Sequence, residues 1–209
     1  MPTALARLAN LVLVAALTAT PTLAHALAIG EGFPEGTPLA RLNGADEREV
    51  HINDVKGAKG TLVVFTCNHC PYAKAWEDRI VAIGNEYAKQ GIGVIAINSN
   101  DPKVEAEDDF QHTQQKWKEK GFQFPYAMDP TSEVAKAFGA TRTPEVFLFD
   151  ANGKLAYHGA VDDNSEDATK VKDHYLKDAL AAVVAGKAPS PAETKSIGCG
   201  IKFRTPPGA

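Results

Sequence analysis

Two cysteines stand three apart in Cys67-Asn68-His69-Cys70, after an apolar run, Leu62-Val63-Val64-Phe65, and ahead of a stretch of helix-forming composition. At a strand-to-helix junction such a pair does redox chemistry: one thiol attacks a disulfide and the other completes the exchange. The reactive species is the thiolate, which the backbone N–H groups and dipole at a helix start stabilise. Cys67, expected where the helix begins, is then the nucleophile. Cys70, one helical turn on, resolves the mixed disulfide. His69, as imidazolium or as an N–H donor, would stabilise the Cys67 thiolate, lower its pKa and make the disulfide more oxidising. The alternative for His69 is a solvated residue without consequence. For the cysteines it is a structural or zinc-bound pair, but zinc usually takes four ligands and a second paired motif. Beyond this motif the chain offers only Cys199 and scattered histidines.

Cys199 is the odd cysteine of three. It is either a third redox thiol or a small buried apolar residue. Three cysteines are too few for a disulfide-stapled mini-fold. Trp76, Phe110 and Trp117 read as core, and Asp162 and Asp163 as loop-shaping residues. No metal ligand set and no organic cofactor are called for.

The elements around the motif follow from periodicity. Thr61 to Phe65 is a short buried strand. Pro71 to Gln90 is a helix with Ala73, Trp76, Ile80, Ile83 and Tyr87 on one face, and Gly91 ends it. Ile92 to Ile97 is a strand buried on both faces, with Asn98 to Pro102 as the loop at its C-terminal end. Val104 to Lys120 is an amphipathic helix, Phe122 to Met128 a strand, and Asp129-Pro130-Thr131 opens a helix that runs to Phe138. Glu145 to Phe149 and Leu155 to His158 pair as a hairpin through Asn152-Gly153. Val171 to Ala185 is the last helix, and a Pro-rich tail follows. Strands alternating with helices, then a hairpin and a helix, make a three-layer α/β sandwich.

The chain has 209 residues, 44% hydrophobic and 23% charged, with a net charge of −4. That favours one domain and shows no basic patch for nucleic acid. Residues 1–26 read as a cleavable signal peptide. Arg7 gives the positive start, Leu11 to Ala19 is too short to span a bilayer, and Ala24-His25-Ala26 fits the cleavage site. Cleavage after Ala26 would leave one domain at residues 27–188 and a tail at 189–209 carrying Cys199. It would also place the protein in the periplasm or outside the cell, with no membrane span, where disulfides persist.

Several segments together resemble the thioredoxin-fold superfamily. They are Phe65-Thr66-Cys67-Asn68-His69-Cys70-Pro71-Tyr72, Glu77-Asp78-Arg79, Ser99-Asn100-Asp101, Thr143-Pro144, Gly159 with Asp162-Asp163, and Gly198-Cys199-Gly200-Ile201-Lys202. Within that superfamily they are similar to redoxins of the alkyl hydroperoxide reductase/thiol-specific antioxidant group, in a peroxiredoxin-like subgroup. The resemblance covers about residues 30 to 204. It implies a thioredoxin-like fold with a central mixed sheet flanked by helices. The implied activity is thiol–disulfide oxidoreductase, with protein or small-molecule thiols and disulfides as substrates and a redox protein as partner. It makes Thr143-Pro144 a cis-proline loop packed beside the cysteines, whose backbone pairs with substrate. By analogy with periplasmic relatives, Glu77 is an acid/base group near the thiols or else an exposed helix residue. A thiol peroxidase acting on peroxides is the alternative activity. The Pro-x-x-x-Thr-x-x-Cys motif of typical peroxiredoxins is replaced, however, with Gly60 and Val64 at the two positions before Cys67. A third reading is a metal-handling module using Cys67, Cys70 and a histidine. Arg142 stands where close relatives carry a small residue.

Overall fold

A computed structural model describes residues 27–205, so the expected signal peptide and the last four residues lie outside the described part. The chain runs β1 (Leu42–Gly44), β2 (Glu49–Val50), β3 (Gly60–Phe65), α1 (Pro71–Ala88), β4 (Ile92–Asn98), α2 (Phe110–Lys120), β5 (Tyr126–Met128), α3 (Glu133–Phe138), β6 (Arg142–Thr143), β7 (Glu145–Asp150), β8 (Leu155–Gly159), α4 (Tyr175–Val184) and β9 (Cys199–Gly200). Seven strands form one mixed sheet in the order β2-β1-β5-β4-β3-β7-β8, and β6 pairs with β9 separately. β3 lies inside the sheet beside the central β4, parallel to β4 and antiparallel to β7.

The strands read as continuous apolar runs because both faces of the sheet are covered. Leu62, Val64, Val94, Ala96, Val146 and Leu148 pack against Trp76, Ile80 and Tyr87 of α1 and Leu176, Leu180 and Val183 of α4. The alternate residues, Val63, Phe65, Ile95, Ile97, Phe147 and Phe149, pack against Val134 and Phe138 of α3. The result is the three-layer sandwich expected from the element order, and Asn152-Gly153 turns the hairpin with Gly153 at φ 70°.

Three helices start later than the sequence implies, α3 among them at Glu133 and not at Asp129-Pro130-Thr131. The segment Val104 to Lys120 holds a 3-10 turn at Ala106–Asp108 and an α-helix from Phe110 only. Asp109 caps that helix by accepting the His112 N–H at 2.8 Å, while Asp108 turns inward with no exposure. The last helix begins at Tyr175 rather than Val171. The strand expected over Phe122 to Met128 shrinks to Tyr126–Met128 behind Pro125, which lacks an N–H for a ladder bond.

Residues 189–205 run back over the body. Backbone bonds join His158 N to Ala192 O and Thr194 N to His158 O, both at 3.0 Å. Ile201 is buried in the α3 face of the core. Arg204 is fastened to Ser132 through its backbone N–H, 3.0 Å from the Ser132 hydroxyl.

Candidate active site

β3 delivers the chain to Thr66, and the cysteine loop occupies the next four residues. Cys70 is the N-cap of α1, at φ −63° and ψ 126°, and Pro71 is the first helical residue. Proline forces the residue before it out of helical geometry and is itself well placed at a helix start. The helix therefore opens at Pro71, as its periodicity implied, four residues past Cys67, so Cys67 does not stand at the helix start expected for it. All three cysteines are free thiols. Cys67 and Cys70 are buried with Ala73, and half-buried Cys199 packs on them.

The Thr143–Pro144 peptide is cis, and Thr143 touches both sulfurs. Its hydroxyl lies 3.0 Å from Cys67 Sγ, and its carbonyl accepts from Cys70 Sγ at 3.2 Å. Buried Glu145 holds this loop. One carboxylate oxygen accepts the N–H groups of Thr141 and Arg142 at 2.8 and 3.0 Å, and the other sits 2.7 Å from His158 Nε2. The hydroxyl beside Cys67 thus comes from Thr143. Val64, at the peroxiredoxin threonine position, is fully buried in the core.

The two neighbouring thiols ionise as a pair whose pKa values are pushed apart. The neighbouring Cys67 thiol holds the Cys70 thiol well below the ordinary thiol range despite burial, with Cys199 and the Ala73 N–H in the first turn of α1 adding to the effect. Cys70, burial and the negative charge of Asp108 all push Cys67 up. Burial and the neighbouring Cys70 push Cys199 up to about 11. The pair gives up a first proton easily and a second only with difficulty.

His69 does not aim at a sulfur as its bonding partner. Its Nδ1 is 2.5 Å from Asp108 Oδ2, and its Nε2 is 3.6 Å from Glu105 Oε1. Asp108 is a fully buried carboxylate that also accepts from Asn68 N at 2.5 Å, Asn98 Nδ2 at 3.2 Å and Asn100 Nδ2 at 2.7 Å. The Asn68 side chain donates to Glu107 O and Thr113 Oγ1 and accepts from Tyr126. Both residues between the cysteines are thereby fixed. Sequence reasoning missed Asp108. The available signal was an adjacent acidic pair at a helix start, only one of which can cap, together with asparagines at the C-terminal end of a buried strand, the edge where α/β sheets carry their sites.

Donor atoms of Cys67, His69 and Asp108 lie within 4.8 Å of one another. The mix of thiol, imidazole and carboxylate suits a transition metal in kind. Asp108 is already saturated by N–H groups and holds His69 Nδ1, so coordination would have to dismantle that network. Glu77 is buried, not exposed. Its two oxygens meet Lys116 at 2.6 Å and Lys120 at 3.1 Å, which ties α1 to α2. Lys116 also reaches the Asn68 carbonyl, at 3.4 Å.

β9 occupies the backbone of the proline loop. Thr143 pairs with Cys199 and Arg142 with Gly200. The edge that the family resemblance gives to substrate is thus already taken by the chain's own tail. Arg142 fastens it by donating to Gly198 O at 3.0 Å. A Cβ on Gly198 would collide with the Thr143 carbonyl, so only glycine lets the tail approach this closely.

With this geometry, comparison with known proteins is direct. The redoxin family model matches residues 28–175. The chain belongs to the redoxin family. The redoxin is 31% identical to thiol-disulfide oxidoreductase ResA of Geobacillus thermodenitrificans (strain NG80-2) over 134 residues, 62% of this chain and 68% of that protein. A crystal structure of an uncharacterised conserved protein from Geobacillus kaustophilus superposes with a TM-score of 0.79 at 34% identity, covering 88% of this chain and 95% of that one. An oxidised thioredoxin-like protein shares the fold, with a TM-score of 0.59 at 21% identity over 76% of this chain and 97% of that one. No helix among the described residues of the redoxin is long and apolar enough to cross a membrane.

Proposed function

We propose that this redoxin is a thiol–disulfide oxidoreductase working through Cys67 and Cys70. The observation that carries the reading is the pair itself: two buried free thiols, both held by Thr143 of the cis-proline loop. Cys67 passes its proton to the neighbouring Cys70 sulfur and attacks a substrate disulfide. One substrate thiolate leaves and takes up a proton. Cys70 then loses its proton and attacks the Cys67 sulfur, which releases the second substrate thiol and leaves a Cys67–Cys70 disulfide. Two electrons pass from the protein to the substrate, and a dithiol reductant returns them. The same steps in reverse oxidise a dithiol.

The test is insulin-disulfide reduction and dithiol oxidation by wild type and Cys67→Ser. The variant should lose both activities, and equal rates in the two proteins would overturn the reading. The N-terminal residues 1–26 support work outside the cytoplasm. Expression of the full chain in a bacterium should yield a processed periplasmic protein starting at Leu27, and unprocessed protein in the cytoplasm would remove that element of the proposal.

A further inference from the structure

Cys199 belongs to a part of the chain that the Cys67–Cys70 exchange leaves unused, yet the fold brings it to the sulfurs. Its strand is aligned residue for residue with the proline loop, Thr143 opposite Cys199. The carbonyl of Thr143 is the acceptor for Cys70 Sγ, and Cys199 packs on the Cys67–Cys70–Ala73 cluster. The placement is built from several directions. Gly198 permits the close approach to Thr143, and Arg142 donates to Gly198 O. Lys202 N–H donates to Asn100 Oδ1 at 2.7 Å, and Asp101 N–H donates to Lys202 O at 2.7 Å. Exposure separates the three thiols. Cys67 and Cys70 are 1% and 0% exposed, whereas Cys199 is half-buried. A protein-sized reductant meets Cys199 first.

We propose that Cys199 is a third redox-active thiol that exchanges with the Cys67–Cys70 disulfide to give a Cys70–Cys199 disulfide, and that it is the sulfur through which a dithiol reductant returns electrons. The inference rests on the oxidoreductase reading above. In the exchange the Cys199 thiolate attacks the Cys70 sulfur. The Cys67–Cys70 bond breaks, the Cys70–Cys199 bond forms, and Cys67 leaves as a thiolate that takes up the proton Cys199 gave up. No electrons are gained or lost in this step. The incoming dithiol then attacks Cys199, Cys70 leaves as a thiolate, and the partner's second thiol releases Cys199, so that the partner carries away the disulfide. Burial and the neighbouring Cys70 both push the Cys199 thiol up, and oxidation of Cys70 to a disulfide removes the second of these causes.

The experiment is disulfide mapping of the full chain by alkylation and mass spectrometry in graded glutathione buffers, for wild type, Cys67→Ser and Cys199→Ala. Oxidised wild type should contain both Cys67–Cys70 and Cys70–Cys199 linkages. Cys67→Ser should lose both of its remaining thiols to a monomeric Cys70–Cys199 disulfide. Only Cys67–Cys70 in wild type, or free thiols and intermolecular dimers in Cys67→Ser, would overturn the proposal. Cys199→Ala should keep a Cys67–Cys70 disulfide, and the ratio of its reduction rate by a thioredoxin-type protein to that by a small dithiol should fall at least tenfold below the wild-type ratio. An unchanged ratio would overturn the electron-entry role. Loss of the Cys67–Cys70 disulfide itself would instead count against the oxidoreductase reading.

Discussion

On one side of the Cys67–Cys70 loop, Asn68 and His69 sink into a polar network around buried Asp108, in which every N–H and carboxylate oxygen is matched. On the other side the two sulfurs face Ala73, the Thr143 hydroxyl and carbonyl, and a third thiol. The first side spends four donors on one carboxylate and has no freedom left. The second is bound by soft, exchangeable contacts. The comparison teaches that the loop is clamped through the residues between the cysteines, so that the cysteines themselves can change partners without moving the backbone.

The clamp should be the costlier side to break. Asp108→Ala strips a buried carboxylate and orphans the Asn68 N–H, two asparagine amides and the His69 ring. A loss of about 3–5 kcal/mol in urea-unfolding stability is expected, the scale for breaking a buried charge network. A loss under about 1 kcal/mol would show that water replaces the carboxylate and that the clamp is not structural.

Electrostatics sharpens the comparison. Asp108 places negative charge near Cys67, and the His69 ring is hydrogen-bonded to that carboxylate. Asp108→Asn should therefore ease Cys67 ionisation, favour the reduced form and raise the reduction potential of the pair. His69→Ala should leave the carboxylate without that partner and lower the potential. Each change should be about 30 mV per 1.4 kcal/mol. The forecast from sequence alone, a pair made more oxidising by His69, is thereby tempered by a carboxylate the sequence reading did not see. Shifts of the same sign in the two variants, measured in glutathione buffers, would break this account.

The split ionisation of the pair gives a pH signature. The Cys70 ionisation is depressed in the reduced fold, so its contribution to stability is fully present above the unfolded thiol pKa of about 8.5 and is lost as pH falls through the depressed folded value. One thiolate should persist in the reduced protein, by ultraviolet absorbance, at pH values where an ordinary thiol is fully protonated. A single titration near 8.5 for all three thiols would contradict it. Smaller effects belong to the sulfur side. Thr143→Val removes one hydrogen bond to Cys67 and should cost about 1 kcal/mol in stability. The Cys67 alkylation rate should change with it, and an unchanged rate would make the hydroxyl a bystander. Arg142→Ala should cost no more than about 0.5 kcal/mol but should raise hydrogen exchange at Gly200 and Ile201. Unchanged exchange would mean that Gly198 and the strand pairing hold the tail without the arginine.

The layer order, the two central strands and the Cys-x-x-Cys junction were legible because buried apolar runs and a 3.6-residue period are local signals. The start of α1 at Pro71 was legible too, because proline suits the first helical position. Asp108 was not legible. Its partners Asn68, Asn98 and Asn100 come from two loops that only the folded sheet brings together. Glu77 read as an acid/base group near the thiols or else an exposed helix residue, because the lysines that bury it belong to α2. Cys199 could be flagged as unpaired, but its position depends on β9 meeting β6 across more than fifty residues of sequence, through a glycine contact that has no periodic signature.

The central claim is that Cys67 attacks substrate and Cys70 resolves it. The direct measurement is trapping with Cys70→Ser/Cys199→Ala, in which a substrate disulfide can be attacked but not released. After reaction with a disulfide peptide and digestion, mass spectrometry should find a stable mixed disulfide on Cys67 in stoichiometric yield. The absence of that adduct, with wild type still exchanging the same peptide, would contradict the account.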